Sequence, residues 1–160
     1  MRFKVWTIAI FLAAAALTAS GGYLAAADPT PTDIIKARQE HLKDMGASMK
    51  AIVDQVRSGS PDKTIATDAA KKIAAYSRQI PDWFPKGTGE EAGVKTAAKP
   101  EIWAQPADFQ AAAEKLPPEA DKLVEAAATG DAATIGAQVQ ATGKACGGCH
   151  KIFRVPPPEH

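Results

Sequence analysis

The stretch from Asp131 to Arg154 reads DAATIGAQVQATGKACGGCHKIFR. Ile135, Val139, Thr142, Cys146, Cys149 and Phe153 recur at three- and four-residue steps. That spacing puts side chains on one face of an α-helix. Gly130 suits the close of a preceding helix and Asp131 the cap of this one. Pro156-Pro157-Pro158 stops it. The spacing thus predicts a last helix over 131–154 with two cysteines on its inward side.

Three further helices are legible upstream. Ile35, Leu42, Met45, Met49, Ile52, Val53 and Val56 make an apolar stripe from about Thr32 to Arg57, with Thr32 as the expected N-cap. Ser58-Gly59-Ser60-Pro61 ends it. A second helix is expected from Pro61 or Asp62 to Gln79, with Ile65, Ala69, Ile73 and Tyr76 facing inward and Ile80-Pro81 as its stop. A third runs from about Pro106 to Ala128 with Phe109, Leu123 and Val124 inward, and Leu116-Pro117-Pro118 predicts a kink or break within it. Residues 81–105 form a long irregular connection rich in proline and glycine, and Trp83, Phe84 and Trp103 predict that it packs onto the core. No alternating strand pattern, repeat or nucleotide-binding glycine pattern is found. The expected fold is all-α, an antiparallel four-helix bundle.

Cys146-Gly147-Gly148-Cys149-His150 is the attachment pattern of c-type haem. Each thiol adds across one haem vinyl group, and two intervening residues let both sulfurs reach the same porphyrin edge. The next residue, His150, then meets the iron from one face. Gly147 and Gly148 are expected to keep the backbone slim where the ring lies. A structural zinc site needs four ligands, and the only other histidines are His41 and His160. A redox dithiol belongs beside a βαβ pattern, and a disulfide across this spacing is strained. The pattern therefore predicts one haem c held by two thioethers, and a fold class of all-α bundle with that haem inside.

The remaining bulk properties fit an exported haem protein. Of 160 residues, 46% are hydrophobic but only 6% aromatic, a composition that favours close-packed helices. The formal charge of +1 argues against a nucleic-acid partner. Arg2 and Lys4 precede a run that is apolar from Val5 to Ala19 apart from Thr7 and Thr18, and Ala25-Ala26-Ala27 follows, the layout of a cleavable signal peptide over 1–27. Loss of Arg2 and Lys4 takes the basic count from 19 to 17 against 18 acids, or −1. A domain over 28–160 with its core at 32–155, located in the periplasm, is the expectation.

Leu42, Met45 and Met49 share the buried face of the first helix. They read either as core or as the source of a sixth iron ligand, since a Met/His pair gives a low-spin electron carrier. The residues alone leave both open.

The same residues carry a family resemblance. The C-terminal run Cys146–Arg154 with Phe153 as its aromatic, the stretches Arg38-Gln39-Glu40-His41-Leu42 and Met45–Lys50, the runs Phe84–Gly89 and Lys99–Trp103, and the link Thr129-Gly130-Asp131 together resemble class II cytochromes c, and within them cytochrome c prime. The resemblance spans nearly all of 31–154. It implies a four-helix bundle, often a homodimer. It implies that Arg38 lies near a haem propionate and Arg154 near the proximal face. It places Leu42 over the distal face, where low-spin members carry a ligating methionine. A leucine there implies five-coordinate, high-spin iron able to take nitric oxide or carbon monoxide. His41, one residue earlier, is turned about 100° away on a helix. Pro117-Pro118 departs from the pattern, since the family's third helix is usually continuous.

The function expected is a periplasmic monohaem cytochrome that binds nitric oxide or carbon monoxide, transfers single electrons to a redox protein, or both. The alternative is a six-coordinate Met/His electron carrier. An enzyme such as a haem peroxidase is disfavoured, because Leu42 and its neighbours supply no acid–base group.

Overall fold

Helix α1 spans Pro31–Arg57 and begins earlier than its apolar stripe suggests. Thr30, not Thr32, is the cap. Its hydroxyl accepts the Asp33 N–H at 3.3 Å, and the Asp33 carboxylate accepts the Thr30 N–H at 3.1 Å. This reciprocal capping box satisfies two N–H groups that a helix start otherwise leaves unpaired. Pro31 fills the first helical position, where its missing N–H costs nothing. The computed structural model describes residues 28–156. The expected signal peptide over 1–27 lies outside the described residues, as do Pro157 and Pro158. Among the described residues no helix is long and apolar enough to cross a membrane.

Helix α2 spans Lys63–Ser77. Asp62 caps it, accepting the Thr64 and Ile65 N–H groups at 2.8 and 3.0 Å. Pro61 therefore sits ahead of the cap, not in the first turn. Ile65 was expected on the inward face and is instead 49% exposed. The face that packs is Ala66, Ala70, Ile73 and Ala74, one position round the helix. Those alanines meet Ala120 and Ala127 of the later helix over Leu116–Thr129 in one core, and small side chains let the two helices approach closely.

The connection after α2 is less irregular than expected. It holds two single 3-10 turns, Ile80–Trp83 and Glu90–Ala92, and a one-turn helix α3, Glu101–Ala104. It does pack down: Ile102 is buried, and the Trp103 indole N–H donates to the carbonyls of Phe84 and Pro85, both at 3.0 Å. The expected third helix is two, α4 over Pro106–Ala113 and α5 over Leu116–Thr129. The break falls just before the prolines, so Pro117 and Pro118 occupy the first turn of α5, where they remove no helical hydrogen bond. Gly130 closes α5 at φ 71°, a left-handed conformation that favours glycine. Asp131 then caps α6, Ala132–Phe153, by accepting the Thr134 N–H at 2.7 Å.

The bundle is closed by contacts of α1 with α2, α2 with α5, α5 with α6 and α6 with α1. Two apolar clusters result. The larger runs through Ile52 of α1, Ile73 of α2, Leu123 of α5 and Ile135 of α6. The smaller joins Ile102, Phe109 and Phe153, with Phe109 edge-on to both Phe84 and Phe153 at ring distances of 5.1 and 5.3 Å. The end of α6 is stitched to the loop by a single bridge between Ala98 and Arg154, with the Lys99 N–H donating to the Phe153 carbonyl at 3.0 Å and the Val155 N–H to the Ala97 carbonyl at 2.8 Å.

The two isoleucine/leucine environments make a direct test. Leu123→Ala removes a fully buried side chain and should cost about 2–5 kcal/mol in urea unfolding. Ile65→Ala should stay within about 0.5 kcal/mol. A large loss at Ile65 would mean that this face is covered in solution.

Candidate functional site

Between α1 and α6, under the loop, lies a cavity of about 580 Å³. That is within the range of roughly 300–1,000 Å³ usual for cofactor sites. One wall is α6, and Cys146, Cys149, His150, Phe153 and Arg154 line it. The facing wall is α1, with Arg38, Leu42, Met45 and Met49. Ala98 and Ile102 of the loop, with Phe109, Ala113 and Leu116, close the rest. Helical repeat explains both walls: Arg38, Leu42, Met45 and Met49 follow at steps of four, three and four, and Cys146, Cys149 and Phe153 at three and four.

All six candidate residues, Cys146, Cys149, His150, Arg38, Leu42 and Arg154, therefore meet in one space. Leu42 and the two methionines share the wall opposite the cysteines. His41 does not join them. Its imidazole lies between Tyr76 and Trp83, at ring distances of 5.0 and 4.9 Å, and faces a separate smaller hollow. Gly147 and Gly148 lie on the exposed side of α6, and a Cβ at either would meet nothing within 4 Å. The expectation that they keep the backbone slim finds no neighbouring protein atom to support it.

The electrostatics suit a ligand-forming wall. Burial raises the Cys146 thiol pKa, and burial followed by the neighbouring Cys146 raises that of Cys149. Partial burial, then the Arg154 guanidinium, lowers His150, so its imidazole stays neutral with a lone pair to offer. Among the described residues no cluster of three or more His, Cys, Asp or Glu side chains could hold a metal ion by itself. Among the described residues no carboxylate lines the cavity.

Arg38 is the buried charge of the site, at 2% exposure. Burial lowers its pKa and Glu91 opposes that shift. No carboxylate among the described residues forms a salt bridge with it. Its partners are neutral oxygens: Nη1 donates to Thr88 Oγ1 at 2.9 Å, and Nη2 to the Thr88 carbonyl at 2.7 Å and Thr96 Oγ1 at 3.0 Å. The guanidinium carbon lies 4.6 Å from the Phe84 ring centre and 5.8 Å from that of Trp103. Periodicity could not have found Thr88 or Thr96, which lie in a loop 50 and 58 residues from Arg38. A buried cation without a counter-ion is costly, and an anionic group entering the cavity relieves that cost. Two thiols and a neutral imidazole on one wall, an apolar wall opposite and an uncompensated guanidinium at the edge fit a haem with its carboxylate side chains.

The comparisons with known proteins agree. The family model for cytochrome C' matches residues 33–154. A cytochrome c' from Pararhodospirillum photometricum is 37% identical over 126 residues, covering 78% of this chain and 98% of its own length. The crystal structure of cytochrome c' from Thermochromatium tepidum superposes with a TM-score of 0.74 at 30% identity, covering 81% of this chain and all of that one (100%). A nitric oxide complex of a cytochrome c prime variant from Alcaligenes xylosoxidans gives 0.69 at 25% identity, covering 79% and 98%. Matched over nearly all its described residues, the chain belongs to the cytochrome c prime family and carries, as that family does, covalent haem c within a helical bundle.

Proposed function

We propose that this protein is a periplasmic monohaem cytochrome with five-coordinate, high-spin iron, which binds nitric oxide or carbon monoxide and exchanges single electrons. Cys146 and Cys149 hold the haem by thioethers, and His150 is the axial ligand. The observation that carries the reading is Leu42, which lies on the cavity wall opposite those three residues. A hydrocarbon side chain donates no electron pair to iron and excludes water from its sixth position. Small, weakly polar diatomics can enter where a leucine swings aside. When bound, the haem supplies the iron that takes the diatomic or the electron; the chain supplies its attachment, its one axial ligand and its apolar cover.

The relatives support this reading in their own terms: one solved neighbour is itself a nitric oxide complex. Export to the periplasm is supported by the basic start, apolar run and Ala25-Ala26-Ala27 of the leader. Pairing as a homodimer belongs to the same proposal and rests on the family resemblance. A catalytic role is not part of this proposal: among the described residues no carboxylate lines the cavity, and His41 faces a separate hollow. The Met/His alternative has Met45 and Met49 on the same wall, but Leu42 holds the position that a ligating methionine takes in the low-spin relatives of the resemblance.

Absorption spectra of the purified protein test the coordination. A ferrous high-spin spectrum that shifts on adding carbon monoxide is expected; a low-spin spectrum indifferent to it would overturn the five-coordinate reading. Leu42→Met should then turn the ferrous protein low-spin and slow its reaction with carbon monoxide by tenfold or more, on the order of 1.4 kcal/mol or more in the barrier. In Cys146→Ser/Cys149→Ser, denaturation should release the haem, whereas in the parent it should stay on the chain. Retention of haem by the denatured double variant would show that it is held elsewhere.

A further inference from the structure

Arg38 is expected to meet a haem propionate, yet most of its guanidinium is already committed. An arginine offers five N–H donors. Thr88 takes the terminal fork, its hydroxyl accepting from Nη1 and its carbonyl from Nη2, and the Thr96 hydroxyl takes the second hydrogen of Nη2. Nε–H and one hydrogen on Nη1 are left. These two do not share an edge, so Arg38 cannot grip a carboxylate with the paired N–H groups that make most arginine–carboxylate contacts bidentate.

The loop is in turn organised around that guanidinium. Thr88 is 1% exposed, and its hydroxyl donates to the Pro85 carbonyl at 2.7 Å while accepting from Arg38. The Thr96 hydroxyl accepts from the Ala98 N–H at 3.2 Å as well as from Arg38. Ala98 is the residue that bridges to Arg154, and both line the cavity. Each threonine therefore links Arg38 to a segment of the loop that borders the haem site.

We propose that Thr88 and Thr96 are positioning residues of the haem site: they fix the guanidinium plane of Arg38 so that a single remaining N–H, not the terminal fork, faces a haem carboxylate. This rests on the proposed seating of haem in the α1–α6 cavity. Its consequence is that the charge of Arg38, once set, holds that carboxylate ionised. The other charged or titratable groups about Arg38 are Glu91 of the 3-10 turn, Asp33, His41 and Asp82 on its far side, and Lys43, His150 and Arg154 along the cavity.

The test is the reduction potential of the holoprotein as a function of pH in the parent, Thr88→Val/Thr96→Val and Thr88→Ser/Thr96→Ser. The potential falls as pH rises through the ionisation of a haem carboxylate, because added negative charge favours ferric iron. Loss of both hydroxyls should move that fall upward by about one pH unit or more, since a misaligned guanidinium stabilises the anion less. The serine pair, which keeps both hydroxyls, should restore the parent profile. Amide exchange over 86–98 serves as the control for loop order. A valine pair with looser exchange but an unchanged potential profile would reduce the threonines to loop structure and overturn the proposal. An unchanged profile with unchanged exchange would overturn it equally. Parent protein without haem absorbance would instead sink the haem reading on which it rests.

Discussion

The constraint on which this structure depends is a hollow. A helical bundle is stable when its apolar faces close on one another at crystal-like density. Here one half of the bundle does so, with Ala66 and Ala70 set against Ala120 and Ala127, and the other half is held apart around a space of about 580 Å³. Left unfilled, a space of that size leaves the apolar side chains of both walls facing water and not one another. The cofactor is thus part of the core. The tight alanine seam between α2 and α5 and the phenylalanine cluster at Phe109 are what keep the two walls at a fixed separation while the rest of the bundle opens.

The division of labour between the walls follows from where their atoms can act. The wall of α6 carries electron pairs: two sulfurs and an imidazole. The wall of α1 carries the hydrocarbon of Leu42 and the thioethers of Met45 and Met49, with the cations Arg38 and Lys43 beside them. A site of this kind does little to the bound group beyond holding it, covering it and setting the charge beside it. Those are the tasks of a pocket built around a bound cofactor.

Much of this was legible in the residues. The Cys146–His150 spacing has one economical meaning, and steps of three and four along 38–49 and 146–153 bring both walls inward without any knowledge of the tertiary structure. What was not legible lay where local pattern yields to packing. Ile65 fits an apolar stripe, but the stripe that packs is a quarter-turn away, because alanine allows a closer approach to α5 than isoleucine does. Thr32 and Thr30 are equally good caps by type, and only the carboxylate of Asp33 decides between them. Pro117-Pro118 announced a break whose position, one step upstream, depends on keeping both rings in a first turn. The partners of Arg38 were beyond reach, since nothing in a loop of threonines and glycines says that two of its hydroxyls will be folded onto an arginine some fifty residues earlier.

The two walls also lie far apart in sequence, and that bears on when a ring can be attached. Leu42 lies in α1, the first described helix, and Cys146–His150 in α6, the last. Until α1 and α6 pair, the cysteine–histidine segment has no opposite wall, and both thiols stand open on a lone amphipathic helix. Afterwards they are half-buried, with raised pKa values and little thiolate to react. Covalent attachment is therefore easiest before α1 and α6 have paired. Folding then acts as the ratchet, because closing α1 over the attached ring removes the route by which it was installed.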